Sequence, residues 1–253
     1  MIVLKNFYQN FTLNSSSEAF FQFEKSRILV KFDTDVVKKM QEEGKIDIND
    51  SSFQCKIKLH DVYGGQTTPS NFSIIVFPLS QSFEEGLGRD IINFSDIGAT
   101  NFLTASIKNG APVLWNLEGA SKSGSLGDTG IDIIVSGALK SSSGTSTVSL
   151  SPIQRFYDGT EDLDIDVTTI ISGTCTGQIA DNGFLIAYSG SFETNKKSYF
   201  VKRFASRNAI NTEIRPQLIV KYDDSIQDNH EDFIFDVTSS LYLNNFHYDS
   251  AAN

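Results

Sequence analysis

The chain has 253 residues, 40% of them hydrophobic, and carries a formal net charge of −10. That acidity leaves no surplus of Lys and Arg to neutralise phosphates, so direct nucleic-acid binding is not expected, and no apolar run approaches the roughly 20 residues of a membrane-spanning helix. With 20 Phe and 8 Tyr against one Trp and two Met, the composition suits sheets better than helical bundles.

The opening MIVLKNFYQNF turns polar after Leu4 and has neither a long apolar core nor a small-residue cleavage site, so synthesis in the cytoplasm without a secretory leader is expected. Residues 1–18 read as an N-terminal arm or a first short strand before the domain proper. The segment FFQFEKSRILVKF predicts one or two strands. Asp33, Thr34 and Asp35 then offer capping oxygens to one short helix running to about Glu43, which Gly44 ends. A strand over 53–59 places Cys55, Ile57 and Leu59 on one face and Gln54, Lys56 and Lys58 on the other. Gly64-Gly65 marks a turn, and a more buried strand over 72–79 ends near Pro78.

Between 82 and 151 the pattern weakens into long loop insertions rich in Gly, Ser, Asn and Asp. Within them 101–107 reads as a strand or helix fragment, and 131–135 and 147–150 as strands. A short strand over 154–157 leads to the turn at Asp158-Gly159. Three apolar runs over 184–188, 199–204 and 218–222 close the domain as strands, Pro216 lying before the last because it lacks a backbone donor. These readings give an all-β antiparallel β-sandwich over 19–224. Residues 225–253 form a C-terminal arm or the start of a further module.

No phosphate-binding loop, dinucleotide fingerprint, H-E-x-x-H or paired C-x-x-C occurs. His60, His230 and His247 lie near no nucleophile motif, and with 31 acidic residues some pair of carboxylates is always found, so no enzyme is expected. Cys55 and Cys175 are too few for a disulfide scaffold. Asp162, Asp164 and Asp166 would share one face of a strand, beside Glu161, and are the candidate calcium ligands. The competing reading is a charged strand edge that resists pairing with another chain. Trp115, Tyr157 and Tyr188 are candidates to stack on a sugar ring, although Trp115, between apolar neighbours, equally suits the core. No other cofactor is expected.

Several short motifs fall in one order: Asp166-Val167-Thr168, then Asn182-Gly183-Phe184-Leu185, then Phe204 with Ser206 and Arg207, then Arg215 to Tyr222 as RPQLIVKY. That order resembles the DNRLRE-type modules, jelly-roll domains related to carbohydrate-binding modules and found in secreted bacterial proteins and in virion proteins of tailed phages. The segment EGLGRDIINFSDIGATNFLTAS, with Trp115 after it, is more similar to the phage form, and Asn208 stands where the secreted form has an acidic residue after the arginine. The resemblance covers about residues 20 to 224 and implies a jelly roll. It also implies structural arginines, Arg207 and Arg215, which would pair with a carboxylate such as Asp166, and a structural Ca2+. The expected role is a structural component of a tailed-phage virion, in a neck, tail, fibre or other appendage. Its partners would be other virion proteins and further copies of itself in a symmetric assembly. The alternative is a carbohydrate-binding or adhesin module for a host-surface glycan.

Overall fold

The computed structural model describes residues 2–11, 20–62, 70–85, 100–141, 144–194 and 200–223, the stretches 2–11 and 20–24 and residue 200 through their backbone. Strands β1 (Ile2–Phe11), β2 (Phe20–Lys25) and β3 (Ile28–Val30) precede helix α1 (Asp35–Glu42). Then come β4 (Gln54–Leu59), β5 (Phe72–Pro78), β6 (Thr104–Lys108), β7 (Ala111–Leu114) and β8 (Ser123–Ser125). After β9 (Ile133–Ser141), β10 (Gly144–Ser149), β11 (Ile153–Phe156) and β12 (Leu163–Asp166) lies helix α2 (Thr168–Cys175). The remaining elements are β13 (Phe184–Tyr188), α3 (Ser191–Thr194), β14 (Phe200–Phe204) and β15 (Gln217–Lys221).

The protein is all-β, and its sheets are antiparallel apart from the short parallel pair β8–β9. The central sheet runs β11-β5-β13-β3 and faces a second sheet, β12-β4-β15. β4 alternates as its sequence requires: Cys55, Ile57 and Leu59 are fully buried, while Gln54, Lys56 and Lys58 are partly exposed. They meet Phe72, Ile74 and Val76 of β5 and Phe184, Ile186 and Tyr188 of β13 in one core, which Leu163 and Ile165 of β12 complete.

The opposite face of the central sheet is covered as well. Ile75, Phe77, Leu185 and Ala187 pack against Leu79, Ala105, Trp115, Ala120 and Ile133, a second core supplied by the long insertion. Closure on both sides explains why FLIAY in β13 is a continuous apolar run, buried at every residue. A third sheet has the order β14-β1-β2, so the stretch read as an arm or first strand is a strand paired on both sides. A bridge from Asp61 to Phe204 connects it to the end of β4.

One helix was expected and three α-helices are present among the described residues. α1 lies where predicted, burying Val37 against the first core, and Gly44 follows it in the left-handed region at φ 69°. Its capping differs in detail: the Asp33 carboxylate accepts the Asp35 N–H at 3.0 Å, whereas the Thr34 hydroxyl donates to Asp181 at 2.7 Å. α2 departs from the pattern, because its Thr and Ile residues are β-branched and favour strands. Burial of Ile170 and Ile171 in the first core overrides that preference. Gly64-Gly65 and the tail over 225–253 lie outside the described residues.

Candidate functional site

One buried charge lies on β14. Alternation puts Lys202 and Phe204 on the same side of the strand, and Phe204 is core, so the lysine is carried inside with 0% exposure. Its Nζ donates to Asp61 Oδ1 at 2.6 Å, to the Glu161 carbonyl at 2.7 Å and to the Gly159 carbonyl at 2.8 Å. Three ammonium donors thus meet three acceptors. The rings of Phe156 and Phe204 lie 5.2 and 5.1 Å from the nitrogen, within cation–π range.

The acceptors are set by their own backbone. The Glu161 carboxylate takes the N–H groups of Tyr157 at 2.6 Å, Asp158 at 3.1 Å and Gly159 at 2.8 Å, which shapes the turn before β12. The Asp61 N–H donates to Asp162 Oδ1 at 2.7 Å, and His60 Nδ1 stands 3.0 Å from Asp162 Oδ2. On either side of Asp61 the backbone is clamped to β14, Val62 N–H to Arg203 carbonyl at 3.1 Å and Ala205 N–H to His60 carbonyl at 2.9 Å.

A second buried charge organises the insertion. Asp132 is fully buried, and its carboxylate accepts the N–H groups of Asn116 at 2.7 Å, Leu117 at 2.9 Å and Lys122 at 3.0 Å, together with the Asn116 side-chain amide at 3.1 Å. Between this insertion and the central sheet lies a cavity of about 230 Å³. Ile75, Phe77, Leu185 and Ala187 give it an apolar wall, with Arg27 and Glu193 also lining it. Arg27 Nε donates to Glu193 at 2.7 Å and its Nη1 to the Gly119 carbonyl, and Lys25 approaches Glu193 at 3.2 Å.

The residues singled out from the sequence are dispersed. Trp115 is buried in the second core with its indole N–H donated to the Asn101 carbonyl at 3.0 Å. Tyr188 is buried in the first, where desolvation pushes its phenol up. Tyr157, 65% exposed, is the one of the three at the surface, with the Arg155 guanidinium 5.2 Å from its ring centre. The three candidates for sugar stacking do not share one face, since Trp115 and Tyr188 fill cores on opposite faces of the central sheet.

The three aspartates each have separate partners: Asp162 as above, Asp164 with Lys56 at 3.3 Å, and Asp166 with the Gln54 amide at 3.1 Å and the Thr168 N–H at 2.9 Å. Among the described residues no group of three His, Cys, Asp or Glu side chains has the geometry to hold a metal ion. β12, carrying Asp164 and Asp166 outward, is an edge of its sheet.

The expected pairing of Arg207 and Arg215 with Asp166 is replaced by other contacts. Arg207 meets Glu85 at 2.8 Å on the surface, and Arg215 donates to the Ala209 carbonyl at 3.0 Å. Asp166 lies just before α2, where the Thr168 N–H and the Gln54 amide already hold it. Cys55 and Cys175 are free thiols; burial pushes Cys55 up to about 12. His230 and His247 lie outside the described residues.

Two features were missed. The buried Lys202 had a legible signal, a lysine two residues before a core phenylalanine in a strand. The other is an apolar surface on the β6–β7 hairpin and its flanks: Phe102 is 42% exposed, Leu103 53%, Leu114 61% and Leu117 52%. Backbone hydrogen bonds from Trp115 to Leu103 and from Gly119 to Phe102 hold these residues side by side. Comparisons with protein-family models, curated proteins and solved structures find no match to this chain.

Proposed function

We propose that the protein is a structural component of a tailed-bacteriophage virion, a jelly-roll module of a neck, tail, fibre or other appendage that works through protein–protein contacts. The observation that carries this reading is the cluster Phe102, Leu103, Leu114 and Leu117, four large apolar side chains exposed at and beside the open end of the β6–β7 hairpin. Apolar surface gathered in this way marks an interaction face more often than isolated exposed residues do. The resemblance of the middle segment EGLGRDIINFSDIGATNFLTAS, together with the motifs up to Tyr222, to phage virion modules supports the same reading. In this role the copies would repeat around a symmetry axis, so that one patch serves every contact of its kind.

Light scattering during size exclusion tests the proposal. The purified chain is expected to form a defined oligomer, and Leu103→Glu/Leu114→Glu to reduce it to a monomer with unchanged circular dichroism. A monomeric parent chain that also fails to bind any co-expressed virion protein overturns it.

One observation favours the alternative, a glycan-binding module. The cavity beside Arg27 and Glu193 combines an apolar wall with a charge pair suited to vicinal hydroxyls. Binding of a surface polysaccharide that Phe77→Ala abolishes would support it, and no retention on any host envelope fraction would remove it.

A further inference from the structure

We propose that Lys202 and Asp61 become joined by an intramolecular amide, a cross-link between β14 and the segment that follows β4. The starting geometry is a buried amine in contact with a largely enclosed carboxyl: Nζ and Oδ1 are 2.6 Å apart, the lysine side chain is fully enclosed and that of Asp61 is 12% exposed. A contact of that length holds the nitrogen roughly 3 to 3.5 Å from the carboxyl carbon, the range of a near-attack geometry. The clamp on either side of Asp61 fixes both backbones, so the two groups meet without a further loss of freedom.

The surroundings favour condensation. A buried ion pair bears the desolvation of both charges, whereas a neutral amine beside a neutral acid, and the amide they form, do not. Phe156 and Phe204 flank the nitrogen and exclude the water that would drive the reverse reaction.

The step balances with the groups present. The ammonium passes one proton to Asp61 Oδ1 along the short contact, leaving a neutral amine and a carboxylic acid. The freed lone pair then attacks Cγ and the carbon–nitrogen bond forms. A second proton moves from nitrogen to the departing oxygen, the carbon–oxygen bond breaks, and one water leaves; nothing is oxidised or reduced. Until the carbon–nitrogen bond forms, the Gly159 and Glu161 carbonyls hold the other two N–H groups, which turns the lone pair towards Asp61; one of those protons then goes to the departing oxygen, and the amide N–H keeps the remaining carbonyl as its acceptor. An Asp61 amide would retain the backbone tie of its own N–H to Asp162.

Intact mass spectrometry of the purified full chain decides the matter. The folded protein is expected to weigh less than its sequence by one water. A tryptic digest should yield a branched peptide containing Asp61 and Lys202 and no cleavage after Lys202. Lys202→Arg, which keeps the cation, and Asp61→Ala should both restore the full sequence mass. A parent chain that keeps the full mass after prolonged incubation in the folded state overturns the proposal, as does a mass deficit that the digest assigns to another aspartate with Lys202 unmodified.

Discussion

Asp132 and Asp166 show how differently two aspartates can contribute. Asp132 is enclosed, and its oxygens face N–H donors from Asn116, Leu117 and Lys122, so the loop that carries Trp115 is wound around one carboxylate. Asp132→Asn turns an amide nitrogen towards donors that need an acceptor. We expect a loss of about 2–4 kcal/mol, read from the shift in urea midpoint. Asp166 is closer to solvent. Burial pushes its carboxyl up, but hydrogen bonds from Thr168 and Gln54, with the nearby charge of Lys56, outweigh this and hold it below the ordinary value of 3.8. A carboxyl lowered on folding stabilises the protein above its unfolded pKa and loses that contribution as pH falls through the folded one. Asp166→Asn should therefore lower stability at neutral pH and flatten the acid limb of a stability–pH curve below about pH 4. Neither role was legible in the sequence. Asp132 falls inside the strand predicted over 131–135, whereas β9 begins only at Ile133, and the donors around it come from loop backbone, which leaves no trace in residue type.

Elements were legible where one force dominated. β4 has a single buried face and alternates; β13 has two buried faces and is apolar throughout; both are recognised from pattern alone. α2 was hidden because local preference and burial pull in opposite directions, and Trp115 and Tyr188 because an aromatic reads the same from the sequence whether it packs or binds. The turn into β13 shows a backbone demand that residue type does announce. Gly183 has φ 87°, and a Cβ built there would lie 2.7 Å from the Val30 carbonyl oxygen, a backbone atom of the neighbouring strand. Gly183→Ala combines left-handed strain with that collision, so it should cost about 2–4 kcal/mol. The expected result is a thermal midpoint lowered by several degrees, which differential scanning calorimetry would register. Gly110 provides the contrast: its φ is 77°, but nothing lies within 4 Å of a Cβ there, so Gly110→Ala should cost less.

At the scale of the whole molecule, the charge of −10 opposes the approach of further copies, whereas burying the proposed contact surface at Phe102, Leu103, Leu114 and Leu117 would favour it. Salt should therefore strengthen self-association by screening the repulsion without weakening apolar contact. The central sheet has a further consequence. Because it closes one core on each face, its strands are shared property, and neither core can come apart completely while the other holds the sheet in place. Amide hydrogens record this kind of dependence. Those of Leu185 and Ile186 should exchange with solvent deuterium only when the whole chain unfolds, whereas those of 104–114 should exchange through smaller openings that leave the first core intact. Such a ranking would make the insertion a part that can yield and re-form on its own, a tolerance suited to the surface proposed here for contact with neighbours.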